Sequence, residues 1–165
     1  MKDHFRMMAR YNAWANARLY RAAAALPGED YHRDAGAYFG SLHGTLNHLL
    51  VADRIWLYRL TGSGELPTAL GATLYESLPA LHAARLAEDG RLAAFVESRS
   101  EAQLEGPLEY RTLAGVPQRG RIREVLAHLF NHQTHHRGQA HAILTRLGIA
   151  EPPPLDLLIM QRETG

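Results

Sequence analysis

The chain has 165 residues, 18 Lys and Arg against 17 Asp and Glu, and no cysteine. That length fits one domain with a core of its own, and a net charge of +1 without a basic run offers no concentrated positive face for nucleic-acid phosphates. The missing cysteine excludes disulfides, thiolate zinc sites, iron–sulfur clusters and a protein thiol nucleophile.

No apolar run approaches the roughly 20 residues of a membrane span, and Met1-Lys2-Asp3-His4 lacks the apolar stretch of a signal peptide. A single cytoplasmic domain over residues 1–165 is therefore expected, with neither nucleic acid nor membrane as partner.

The first helix is predicted over 2–26, with Asp3 as N-cap and Pro27-Gly28 as its stop. Phe5, Met8, Ala9, Ala15, Leu19, Ala23 and Leu26 recur at helical spacing. Asn12 and Asn16 interrupt that stripe and read as hydrogen bonders between helices in preference to a polar pocket lining. Met7, Tyr11 and Trp14 form a second strip among Arg10, Arg18 and Arg21, a surface that a partner subunit would cover.

A second helix is predicted over 40–60, opened by Ser41 and closed by Thr61-Gly62-Ser63-Gly64. Its apolar residues run nearly all the way round, which predicts burial on most sides. Residues 64–78 read as a loop. A third helix follows over 79–99, begun by Pro79, with Leu81, Ala84, Leu92, Phe95 and Val96 as core candidates.

Alternation of Leu108, Tyr110 and Thr112 with Glu109 and Arg111 marks a short hairpin or extended link over 106–120. The fourth helix is predicted over 122–147, with Gly148 at its C-terminal cap and Pro152-Pro153-Pro154 barring continuation. The tail 155–160 reads as one or two more helical turns. Four helices of these lengths in one domain predict an all-α four-helix bundle of the up-down type.

Ten histidines are the unusual feature, five of them between His128 and His141. At about 100° per residue, His128, His132, His135 and His136 fall within roughly a quarter of the helix circumference. His132 and His136 are one turn apart, the spacing at which two imidazoles meet one metal ion, and His128 and His132 share that spacing. His141 points away and reads as a surface residue.

Two imidazoles supply half a tetrahedral shell, so a third ligand must come from another helix. His48, mid-helix in an apolar segment, is the best placed; His43, near the helix start, reads as solvated or at a rim. No histidine is followed by glutamate, so the His-Glu-x-x-His pattern of zinc proteases is absent.

The segments HLFNHQTHHRGQAHAILTRLG, GSLHGTLNHLLVADRIWLYRLTG and RYNAWANARLY together resemble the DinB family, the DinB/YfiT-like group of metal-binding helical bundles. The resemblance extends from the first helix through Pro152-Pro153-Pro154-Leu155-Asp156. It implies a divalent metal held by His48, His132 and His136, with His135 the alternative to His136. Zinc or nickel is the expected ion, then iron or manganese.

Some members transfer a low-molecular-weight thiol such as bacillithiol, mycothiol or glutathione to an electrophile. The resemblance thus implies a metal-dependent thiol S-transferase with a small thiol and an electrophile as partners, working as a homodimer. A non-catalytic metal- or ligand-binding stress protein and a metal-dependent hydrolase are the alternatives.

Other residues carry smaller expectations. Asp53 falls within an apolar arc, where an unpaired carboxylate would cost several kcal/mol, so pairing with Arg or His is expected. Asn47 and Asn131 precede possible ligands and are candidates for orienting them. Arg137 reads as a surface or helix-pairing arginine before a substrate contact, Trp56 and Tyr58 as core or interface, and Gly138 as a point of close helix approach.

Overall fold

The computed structural model describes residues 1–164 and is helical apart from one small sheet. In chain order the elements are α1 (Lys2–Ala24), α2 (Gly28–His32), α3 (Leu42–Thr61), α4 (Leu78–Ser98), α5 (Glu101–Leu104), β1 (Pro107–Arg111), β2 (Pro117–Arg121), α6 (Ile122–Arg146) and α7 (Leu157–Thr164). Among the four long helices, α1 lies against α4 and α6, and α3 against the same two. No helix among the described residues is long and apolar enough to cross a membrane.

Local chemistry sets the boundaries. The Ser41 side chain accepts from Gly44 N at 3.1 Å and starts α3, which Gly62 ends in a left-handed conformation. At the end of α6, Gly148 has φ 94°. Its N–H reaches Thr145 O at 3.1 Å, while Ile149 N reaches Leu144 O at 3.0 Å. That pair of hydrogen bonds is the Schellman arrangement, which a glycine adopts without Cβ strain. Strands β1 and β2 form an antiparallel hairpin pairing Pro107 with Arg121 and Arg111 with Pro117.

Apolar burial divides the core in two. At one end Leu19, Leu46, Leu50, Leu81 and Leu144 pack together; at the other Phe5, Leu57, Leu92, Leu126 and Leu129 do so. Helix α3 is buried on most of its surface, as its all-round apolar pattern predicts. Between the clusters sits a polar layer. Asn12 and Asn16 each donate to Asp89 Oδ1 at 3.0 Å, tying α1 to α4.

Arg85 Nη2 lies 2.8 Å from Asp53 Oδ2 and 3.0 Å from Asp89 Oδ1. This supplies the ion pair expected of Asp53. The contact is one of charge proximity, since neither the Arg85 nitrogens nor the Asp53 oxygens have an aligned hydrogen bond among the described residues.

Several sequence expectations need correction. Helix α1 begins at Lys2, so Asp3 lies inside its first turn and not at its cap. The short helices α2 and α5 carry too few turns to show a period. Of the two readings of Arg137, helix pairing holds and surface exposure does not: it is 2% exposed and donates to Asn12 Oδ1 across to α1. His43 is buried, with Nε2 3.0 Å from Tyr75 O. Gly138 is exposed and meets nothing that a Cβ would touch. His141 is half-buried, with Nε2 3.1 Å from Pro153 O.

The aromatic strip on α1 is covered in part by the chain itself. Leu155, Leu157 and Met160 pack on Tyr11, Trp14 and Ala15. Tyr11 donates to Leu155 O at 2.7 Å and Trp14 Nε1 to Glu163 Oε2 at 2.8 Å. Helix α7 and the segment before it thus occupy the Tyr11 and Trp14 part of that strip, while Arg10 and Arg21 stay exposed.

Candidate metal centre

Helices α3 and α6 pack side by side and bring His48 to His132 and His136. One ligand nitrogen from each lies within 4.8 Å of the others. His48 Nε2 is 3.2 Å from His132 Nε2, and the ring centroids of His132 and His136, one turn apart, are separated by 4.3 Å. His128 and His135 flank this group but are exposed and outside it. The geometry thus selects the 132/136 pair over the 128/132 pair.

Neighbouring groups decide which nitrogen each ring offers. His48 Nδ1 lies 2.8 Å from the Leu70 carbonyl, which can only accept, so Nδ1 carries the proton and Nε2 keeps its lone pair. His136 Nδ1 stands 2.7 Å from Gln139 Oε1, which leaves its Nε2 free in the same way. Outer hydrogen bonds of this kind orient metal-binding imidazoles.

Burial holds all three rings below the ordinary imidazole pKa. His132 is pushed down to about 3, by burial first and then by its histidine neighbours. His48 and His136 are lowered by burial, against an opposing pull from Leu70 and Gln139 respectively. Neutral imidazoles are the form that binds metal.

The loop between α3 and α4 is fixed by Asn47. Its Nδ2 donates to Tyr75 O and its Oδ1 accepts from Leu74 N at 2.8 Å and Tyr75 N at 3.1 Å. The same loop carries Leu70 over His48. On the other side Phe39 stacks on His48 with centroids 3.8 Å apart. That approach requires Gly44, because a Cβ there would collide with the Phe39 carbonyl oxygen.

Sequence reading missed Phe39, Leu70 and Gln139. The offset of three between His136 and Gln139 was a legible signal for one of them; nothing local marks the other two.

Two nitrogens on one tetrahedral zinc at about 2.0–2.1 Å are about 3.3 Å apart. The His48–His132 spacing meets that requirement, so the donor set fits a metal ion. Beside the rings is a cavity of about 460 Å³, walled by Ala52, Ile55, Trp56, Leu70, Leu113 and His128. The ligand group contains no carboxylate.

The DinB family model matches residues 1–164. Protein DinB of Bacillus subtilis (strain 168) is 28% identical over 159 residues, covering 93% of this chain and 91% of its own length.

Proposed function

The chain belongs to the DinB family, and from that membership we propose that it is a metal-dependent enzyme joining a small thiol to an electrophile, with His48, His132 and His136 as the ligands. The observation that carries the reading is the convergence of three neutral imidazoles whose outer nitrogens on His48 and His136 are tied off, beside a largely apolar cavity.

When bound, a divalent ion with a position left open lowers the pKa of a thiol held there, so that thiolate is present near neutral pH. Zinc or nickel suits the imidazole set best, with iron or manganese next. The protein's residues do the rest. His48 and His136 are held in one tautomer, Phe39 and Leu70 exclude water from the His48 side, and Ile55, Trp56 and Leu113 offer an apolar wall for the electrophile's body. His135, exposed and accepting from Gln139 Nε2 at 3.2 Å, belongs to the rim.

The four long helices form an up-down bundle in this reading, with the site between two of them. The cytoplasm, where small thiols stay reduced, is the fitting compartment. A homodimer rests on the family resemblance. A metal-binding protein without turnover is the second reading; hydrolysis is disfavoured because no carboxylate stands among the ligands to serve as base.

The test is metal analysis of the purified protein followed by a scan of low-molecular-weight thiols against a chromogenic electrophile. Metal at one equivalent with thiol-dependent turnover is expected. Metal without turnover for any thiol favours the binding protein, and cleavage of esters or amides favours the hydrolase.

A further inference from the structure

The cavity beside the imidazoles holds one permanently charged side chain, Arg59. It lies 11 residues after His48 on α3, which at about 1.5 Å and 100° per residue is about 16 Å along the axis and within about 20° of the same face. Helical side chains lean toward the N-terminus, here toward the histidines. Ala52, Ile55 and Trp56 occupy the face between, so the cavity runs along α3 from the cluster to the guanidinium.

Arg59 is held flat. Its guanidinium carbon lies 4.5 Å from the Trp56 ring centroid and 5.0 Å from that of Tyr110. It makes no hydrogen bond or ion pair among the described residues, although Arg54, Arg85 and Arg91 nearby are all paired with acids. A second cavity, of about 490 Å³, opens on its other side against the hairpin. A guanidinium that rests on aromatic rings and has no hydrogen-bond partner keeps its N–H groups available, and these match a carboxylate in bidentate fashion.

From this placement we infer that Arg59 determines substrate specificity by binding a carboxylate of an elongated thiol whose sulfur lies at the histidine cluster. The inference rests on the thiol-transfer reading for the position of the sulfur alone. An apolar trough with a cation at one end and a thiol-binding centre at the other selects carboxylate-bearing thiols of peptide size over small neutral ones.

Calorimetric titration of the metal-loaded full chain tests this with glutathione, its diethyl ester and S-methylglutathione. Glutathione is expected to bind about tenfold or more tightly than its diester. Arg59→Gln removes that preference while metal content stays unchanged, and Arg59→Lys restores part of it. S-methylglutathione, whose sulfur is blocked, keeps the Arg59 dependence.

Equal binding of acid and ester by the unmodified chain overturns the inference. So does a preference that survives Arg59→Gln, or no binding of glutathione at millimolar concentration. His132→Ala separates the two readings. If it leaves glutathione binding unaltered, the sulfur is not at the histidines and the thiol-transfer reading fails, while the Arg59 contact with carboxylate stands.

Discussion

His48 and His132 face each other across the α3–α6 interface with their Nε2 atoms 3.2 Å apart, both rings held neutral by burial. Two lone pairs at that distance repel unless a proton or a cation lies between them. A shared metal ion satisfies both rings and His136 as well. Loss of a ligand costs more than the 10–100-fold in metal affinity that an outer-shell partner is worth.

His48→Ala, His132→Ala and His136→Ala should each therefore lower affinity by more than about 100-fold. His82→Ala, His135→Ala and His141→Ala should leave one equivalent bound by elemental analysis. Equal loss across all six variants would mean nonspecific binding by a histidine-rich surface.

Asn47 acts on the site at one remove. It ties residues 74 and 75 to α3, and the same loop delivers the Leu70 carbonyl that fixes the His48 tautomer. Asn47→Ala leaves the Leu74 and Tyr75 N–H groups without their acceptor, at about 1–3 kcal/mol for a buried group left unpaired. Denaturant melts should show that loss, and metal affinity should fall by about tenfold, within the range for an outer-shell partner. Unchanged metal affinity in a variant that has lost stability would show that Leu70 does not depend on this loop anchor.

Much of this arrangement was legible in the sequence because it is periodic. The helix boundaries, the buried faces of α3 and α6, and the one-turn pairing of His132 with His136 all follow from helical spacing. The features that escaped have no period. Leu70 contributes a backbone carbonyl, which no residue type announces. Phe39 reaches His48 through a turn, and α7 covers Tyr11 and Trp14 because of where a loop places it. Arg85, Glu88 and Asp89 are buried although charge alone reads as solvated. Asp53 and Arg54 on α3 and Asn12 and Asn16 on α1 pair with them, so burial there follows from pairing that only the packed helices reveal.

Gly44 offers a local test of the ring stacking. Its position one helical turn before His48 leaves room for the Phe39 carbonyl, and Phe39 in turn stacks on the imidazole. Gly44→Ala should favour the helix by about 1 kcal/mol in propensity yet force the preceding turn away. Net destabilisation is expected, with greater solvent access to His48 read as faster modification by diethyl pyrocarbonate. A variant more stable than the parent, with His48 equally protected, would show that the turn shifts without moving Phe39.

Asp53 and Arg85 make the buried ion pair a test of which force governs it. Burial pushes the Asp53 carboxyl up from 3.8 to about 6, against the opposing pull of Arg85. A carboxyl that holds its proton more tightly when folded favours the folded state below the unfolded value near pH 4. That contribution is lost as pH rises through about 6.

Asp53→Asn removes the titration and keeps the shape. The stability of the parent relative to this variant should therefore decline between pH 4 and pH 7, by at most about 1.4 kcal/mol per pH unit. Urea melts of both proteins at intervals across that range measure the difference directly, and shared titrations elsewhere in the chain cancel. A relative stability that instead grows with pH would mean that attraction to Arg85 outweighs burial and holds Asp53 ionised in the folded state.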